Sequence, residues 1–322
     1  MTALKKHIAS TIHLAYPVII GQLGIVMMGV VDSLMVGKLG PAPLAAASLG
    51  NGMTFLILII GIGLSLAVTP LVAIAVGAGR FDDCGIYFRQ SLLVNSIFSV
   101  FITAGIFFGA ELLRYFDQPI EVQVQAVSYM KIIGLSAIPL MLFQTYKQFI
   151  EGLSVMRPAM IITIAANIVN AFANWIFIFG NLGFPALGLD GAGWATFASR
   201  LFMALGLLVY VMNNNSFKKY DVSFHFKSIN RPVIRKILSL GLPSGFQYFF
   251  EVGAFSFAVI MVGWLGTNQL AAHQIAINLA SISFMAVLGI SVAGSIRVGN
   301  AVGMRDISET RKAGFTALLL GA

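Results

Sequence analysis

From Leu39 to Gly79 the chain runs for 41 residues without an Asp, Glu, Lys or Arg. A water-soluble fold rarely hides such a run, whereas a bilayer demands it, because ~20 apolar residues in a helix cross the hydrocarbon core. Two further runs have the same character. His7 to Val31 carries no such charge, and Glu251 is the only charged residue between Lys236 and Arg297. The whole sequence of 322 residues is 58% hydrophobic and 10% charged, against about 25% charged in soluble domains. Only helices and closed barrels satisfy the backbone in lipid, and barrel strands alternate in segments of ~10 residues. These runs are twice that length and apolar on every side, so the expected fold is an all-α, polytopic helical bundle.

The pattern predicts spans near residues 7–31, 46–76, 90–112, 122–146, 158–180, 191–213, 240–264 and 270–296, with a ninth starting at Ala313. The first run is too long for the ~7 to 15 residue apolar region of a signal peptide, so it reads as a retained helix. Counting alternate loops places 16 of the 20 basic residues on the side of Lys5 and Lys6, while Lys38 and Arg114 flank helices on the other. The positive-inside rule then puts the N-terminus of this multi-pass membrane protein in the cytoplasm. This asymmetry also accounts for the net charge of +8 without a nucleic-acid partner. The lone Cys84 excludes an internal disulfide and a multi-cysteine metal cluster.

Shifted by 226 residues without a gap, the chain matches itself. Met35-Val36-Gly37 pairs with Met261-Val262-Gly263, Leu44-Ala45-Ala46 with Leu270-Ala271-Ala272, and Ala75-Val76-Gly77 with Ala301-Val302-Gly303, giving 17 identities over the 64 positions from 17 to 80. Six spans precede the second copy, an even number, so the repeats are parallel, as in secondary transporters that bind substrate between two halves. The division expected is a six-helix lobe at 1–212, a cytoplasmic connector at 213–236 with six basic residues, and the start of a second lobe at 237–322. Two full copies would need about 130 residues more than the sequence holds, so the second lobe is expected to be incomplete.

Four segments, Asp32-Ser-Leu-Met-Val-Gly-Lys-Leu-Gly40, Glu151-Gly-Leu-Ser-Val-Met-Arg-Pro158, Gly191-Ala-Gly-Trp-Ala-Thr196 and Leu270-Ala-Ala-His-Gln-Ile-Ala276, in this order and spacing resemble the multidrug and toxic compound extrusion (MATE) family, in its NorM-like branch. The resemblance implies two six-helix lobes around a V-shaped cavity. It also implies efflux of small organic cations in exchange for Na⁺ or H⁺, with no other cofactor and a monomer as the working unit.

An ionisable side chain inside a bilayer costs at least ~2.5–3.5 kcal/mol on insertion scales and is a functional candidate by default. Asp32 lies in the outer part of the first helix, where position and motif favour a proton or cation site; the alternative is a carboxylate at the outer interface. Glu251, in the seventh helix, is read as ~15 Å deep and, by the resemblance, faces the central cavity; the alternative is a protonated acid bonded to a neighbouring helix. Their repeat partners are Ala258 and Ile25, so neither acid belongs to the common scaffold. Asn170 and Asn174 share one face of the fifth helix; the resemblance implies that they lie near Asp32, where amide oxygens suit a hard cation such as Na⁺ or a hydrogen-bond network around the carboxylate, and interhelical packing is the competing reading. Gly191, Gly193 and Thr196 are read first as a close helix contact, with lining of the cation pocket as the alternative.

Arg200 and Lys131 fall inside spans, where each can balance an acid, snorkel or meet carbonyls. His273 is assigned to packing. His7, His13, His225 and His273 show no metal-binding spacing. Gly61-Ile62-Gly63 does not continue into a dinucleotide fingerprint, and no Walker A pattern occurs. An intramembrane enzyme would need a dyad at one depth, which Asp32 and Glu251 do not provide. The nearest rival is a flippase or exporter of lipid-linked saccharides, for which a more basic cavity would be expected.

Overall fold

The computed structural model describes residues 3–115, 118–222, 229–265 and 267–322. Segment 223–228 of the expected connector, with His225 and Lys227, lies outside the described residues. Among the described residues eleven α-helices run in order: α1 (Ala3–Gly37), α2 (Pro41–Leu66), α3 (Val68–Gly77), α4 (Phe81–Leu112), α5 (Ile120–Leu135), α6 (Ala137–Gly152), α7 (Arg157–Phe179), α8 (Leu189–Asn213), α9 (Arg231–Leu265), α10 (Thr267–Gly303) and α11 (Ile307–Gly321). There is no strand among the described residues, and seven stretches are long and apolar enough to cross a membrane.

Two of the expected spans are built from two helices each. Ala67 separates α2 from α3, and Ser136 separates α5 from α6. Both residues keep right-handed helical backbone angles (φ −61°, ψ −23° and φ −74°, ψ −5°), so each pair is a single rod with a local break rather than a hairpin. True turns are marked differently. Pro41 opens α2 at a position where its missing N–H costs nothing, Gly180 closes α7 with φ 73°, and Asp306 caps α11 by accepting from the Glu309 N–H at 2.9 Å.

Several boundaries differ from those expected. α9 starts at Arg231 rather than 240, α10 covers Thr267–Gly303 rather than 270–296, and α11 begins at Ile307 rather than Ala313. Charged residues mark where lipid ends, but the helical hydrogen-bond ladder continues past that point. The 35 residues of α1 give a rod of ~52 Å, longer than the ~30 Å hydrocarbon core. Lys147, counted among the loop cations, is buried within α6.

The 226-residue repeat is visible in the packing. α2 lies against α9, and α10 lies against α1. A β-carbon added to Gly63 would strike the backbone of Gly245, and one added to Gly289 would strike Ile19 and Ala15. Gly63 and Gly289 are repeat partners, as are Ile19 and Gly245, so the two contacts are equivalent. Where α3 crosses α10, Gly77 abuts Asn300 while Gly303 abuts Ile74, again a reciprocal pair. A local two-fold axis therefore passes between Gly77 and Gly303, and the backbones approach there as only glycine allows.

Close to this crossing, Arg297 of α10 gathers α1 and α11. Its guanidinium donates to the His7 carbonyl (2.8 Å), the Thr11 hydroxyl (2.7 Å) and Glu309 (3.2 Å), and lies 2.7 Å from His7 Nδ1. Repeat partner Leu71 is apolar, so this polar clasp has no counterpart across the axis.

Candidate functional site

At the α1–α7–α8 contact several polar groups surround an acid. Asp32 of α1 accepts from Asn174 Nδ2 at 2.5 Å through one carboxyl oxygen and from the Thr196 hydroxyl at 3.2 Å through the other. The same Asn174 amide also donates to Asn170 Oδ1 at 3.1 Å. Asn170 and Asn174 are fully buried and Thr196 nearly so. The spacing of the two asparagines on α7 accounts for their shared face, and α8 brings Thr196 from the other side.

Every direct hydrogen-bond donor to Asp32 is a neutral amide or hydroxyl, and no ion pair to it occurs among the described residues. The Thr196 oxygen also lies 3.0 Å from the Ala192 carbonyl. One hydroxyl proton cannot serve both acceptors at once. A protonated Asp32 can therefore donate to Thr196 while the hydroxyl turns to Ala192, whereas an ionised Asp32 accepts the hydrogen bond from the Thr196 hydroxyl. Asn174 Oδ1 and Asn170 Nδ2 are buried without a hydrogen-bond partner among the described residues, a state that costs ~1–3 kcal/mol per group. A free amide oxygen beside a carboxylate is also the donor chemistry that a hard cation selects.

Two residues that sequence reasoning did not assign to this site belong to its neighbourhood. Arg200 hydrogen-bonds Ser136 Oγ at 2.7 Å, at the break between α5 and α6, and is near enough to Asp32 and Tyr129 to interact with both. Tyr129, 1% exposed, donates its hydroxyl to Asn51 Oδ1 at 3.2 Å. No motif marked Tyr129, because an aromatic residue in an apolar helix is indistinguishable from core packing until its hydroxyl partner is known. Gly191 and Gly193 do serve close packing, against the Phe177 backbone and Ile132. Thr196, grouped with them in sequence, is instead a partner of the acid.

Glu251 sits half-buried near the middle of α9, with Tyr248 in electrostatic contact. No described hydrogen bond or ion pair joins it to the Asp32 group. In repeat coordinates it matches position 25 of α1, seven residues or ~10 Å along the helix from Asp32. Lys131 is ion-paired with Glu111, which also takes Arg114 at 2.9 Å. The imidazole Nε2 of His273 is buried without a described partner, and among the described residues no group of three potential metal ligands occurs.

Sequence reasoning also passed over a buried charge pair. Lys147 Nζ and Glu151 Oε1 lie 3.8 Å apart on α6 with side chains only 8% and 2% exposed. Between them in sequence, Gln148 bonds the Thr69 hydroxyl of α3 at 2.5 Å. The i, i+4 spacing was legible, but its burial was not, because the expected span ended at residue 146 whereas α6 continues to Gly152.

An all-helical, multi-span bundle built on a parallel repeat, with a carboxylate held among neutral donors inside it, defines an integral membrane transporter. The chain belongs to the MATE family: the MatE family matches residues 17–176 and 243–322. A probable multidrug resistance protein NorM from Mesorhizobium japonicum is 36% identical over 319 residues, covering 98% of this chain and 68% of that protein. The multidrug resistance protein NorM of Vibrio vulnificus is 33% identical over 323 residues, 100% of this chain and 70% of its own length. The fold is shared with the solved structure of a MOP superfamily transporter from Pyrococcus furiosus, at a TM-score of 0.86, with 22% identity over 98% of this chain and 69% of that one.

Proposed function

We propose that this protein is a secondary antiporter that exports small organic cations in exchange for Na⁺ or H⁺. In this reading Asp32, Asn170 and Asn174 form the coupling-ion site, and Glu251 contributes negative charge to the substrate cavity. The observation that carries it is the environment of Asp32, a carboxylate inside the bundle whose direct donors are the neutral Asn174 and Thr196. A permanent salt bridge would fix its charge, whereas neutral donors leave it able to alternate between a proton or cation and the free acid. Membership of the MATE family and similarity to NorM proteins support the cargo class. The acids at Asp32 and Glu251 disfavour the lipid-linked saccharide exporter.

Residues 1–212 act as the first lobe, 213–236 as the cytoplasmic connector and 237–322 as the start of the second. The N-terminus faces the cytoplasm of a plasma membrane, the bacterial inner membrane by analogy with the NorM proteins, and the working unit is a monomer. An antiporter works only if ion and cargo favour different conformations, and their mutual penalty is typically ~1–3 kcal/mol.

The test uses the full-length protein in proteoliposomes, with ethidium as cargo and Na⁺ and pH gradients imposed separately. Asp32→Asn should retain ethidium binding while abolishing ion-driven accumulation. Glu251→Gln should weaken ethidium binding. Wild-type transport and ion dependence in both variants would refute the assignment.

A further inference from the structure

Thr196 and Arg200 stand one turn apart on α8 and share a face. Thr196 serves the carboxylate of Asp32, whereas Arg200 puts a full positive charge midway along the 25 residues of the helix, where a charge is costly in a bilayer. Contacts fix its surroundings. Ser128 Oγ donates to Asp190 Oδ2 at 2.7 Å, a β-carbon added to Gly193 would strike Ile132, and Arg200 Nη1 donates to Ser136 Oγ at 2.7 Å. These numbers rise together, so α5 and α8 run parallel and the guanidinium is held at the break between α5 and α6. Against α1 the order is reversed, with Thr196 at Asp32 and Ser199 Oγ 3.6 Å from Met28 Sδ. Arg200 therefore lies ~6 Å along α8 from the Thr196 contact, on the side of Asp32 nearer His7 and the Arg297 clasp.

The hydrogen bond to Ser136 does not explain the charge. That hydroxyl already donates to the Ile133 carbonyl at 2.6 Å, and a neutral amide would serve as its donor as well as a guanidinium does. Among the described residues no ion pair to Arg200 occurs, and the titratable groups that share its field are Tyr129 and Asp32. Asp32 is the only carboxylate of the two. With the carboxylate empty, its negative charge balances Arg200 from a distance. With a proton or a cation on the carboxylate, the charge of Arg200 is left unbalanced inside the bundle. The interaction of separated charges is far stronger there than in water, so each occupancy of Asp32 carries a penalty that Arg200 imposes.

We propose that Arg200 limits how tightly the Asp32 site holds its coupling ion: the positive charge, fixed at the α5–α6 break one turn from Thr196, weakens the grip of the carboxylate on a proton or Na⁺ and so promotes release. Arg200 acts through Asp32 and not by contact with ion or cargo. Release matters to an antiporter as much as capture, since an ion held too tightly leaves no free carboxylate for the next cycle. The inference rests on the reading of Asp32 as the coupling-ion carboxylate, and it adds a residue that sets the affinity of that site.

The test uses the full-length, detergent-solubilised protein with ethidium held below its own Kd, so that displacement of ethidium reports ion affinity. Two arms titrate Na⁺ at fixed pH and protons without Na⁺, and the arm that displaces ethidium from the wild-type protein identifies the ion. In that arm Arg200→Gln, which keeps a donor for Ser136 and removes the charge, should lower the half-displacing ion concentration about tenfold, the scale for unit charges ~10 Å apart at an effective dielectric constant of ~20. Arg200→Lys, which keeps the charge, should stay near the wild-type value. A residue that only braced the α5–α6 break would lower Tm in both variants and leave the ion titration where it was. Should Arg200→Gln fail to fold, Arg200→Met decides. Unchanged or weaker ion binding in the folded neutral variant, alongside an Asp32→Asn control from which the ion no longer displaces ethidium, would overturn the role of Arg200 and leave the Asp32 reading intact. Normal ion dependence in Asp32→Asn, or displacement in neither arm, would overturn both.

Discussion

At the scale of single residues, some charges within the spans have an ionic partner, while Asp32 has none among the described residues. Lys131 is tied to Glu111, and Lys147 to Glu151, whereas Asp32 rests on an amide and a hydroxyl. The Lys147–Glu151 pair is buried deeply enough that removing one partner strands the other. Breaking such a pair costs about 3–5 kcal/mol, while replacing both partners with apolar groups is often neutral. Lys147→Met should therefore lower the Tm of the detergent-solubilised protein sharply, and Lys147→Met with Glu151→Leu should restore most of the loss. Additive destabilisation in the double variant would show that the pair is not coupled. The Asp32 group should behave differently: Asn174→Leu should impair ion dependence more than stability, because it removes the donor to the carboxylate.

At the scale of elements, glycine positions determine how closely helices can approach, and they are not equivalent. Gly77 of α3 faces the Asn300 backbone of α10, whereas an added β-carbon at Gly29 of α1 would meet nothing within 4 Å. Gly77→Val must push α3 from α10, and overpacking of this kind typically costs ~1–3 kcal/mol. Gly29→Ala should be neutral or stabilising, by up to ~1 kcal/mol from helix propensity. Thermal unfolding of the two variants checks both, and equal effects would show that the α3–α10 crossing tolerates separation. The proline inside α1 and that inside α9, Pro17 and Pro243, are repeat partners. Each removes a backbone donor from its helix, so the repeat preserves a local weakness as well as a contact.

For the whole molecule, the crossing at Gly77 and Gly303 and the Arg297 clasp close the same end of the bundle. Opening that end requires α1 to leave α10 and α11, which breaks the contacts of Arg297 with His7, Thr11 and Glu309. Glu309→Gln removes the acid that holds the guanidinium and should shift the population toward the open form. Spin labels at Lys6 and Lys312, with Cys84 replaced by Ala, report this as a longer and broader distance distribution. An unchanged distribution in Glu309→Gln would show that the glycine crossing alone keeps this end closed.

Charge-free runs determined by themselves that this chain is a membrane bundle, because lipid offers a backbone no partner but itself. The self-match at 226 residues likewise exposed the repeat, since equivalent contacts require similar residues at equivalent positions. Asp32, Asn170 and Asn174 were legible singly, as polar groups where polarity is costly. Which of them meet was decided by tertiary structure, since a hydrogen bond between α1 and α7 joins residues 142 apart in sequence. The same reason explains the misreadings. Lys147 looked like a loop cation, and Thr196 was left between a packing motif and the cation pocket, because a one-dimensional pattern gives the depth of a residue along its helix but not the neighbour its side chain faces. The rotation of each helix about its own axis is set only when all the helices pack.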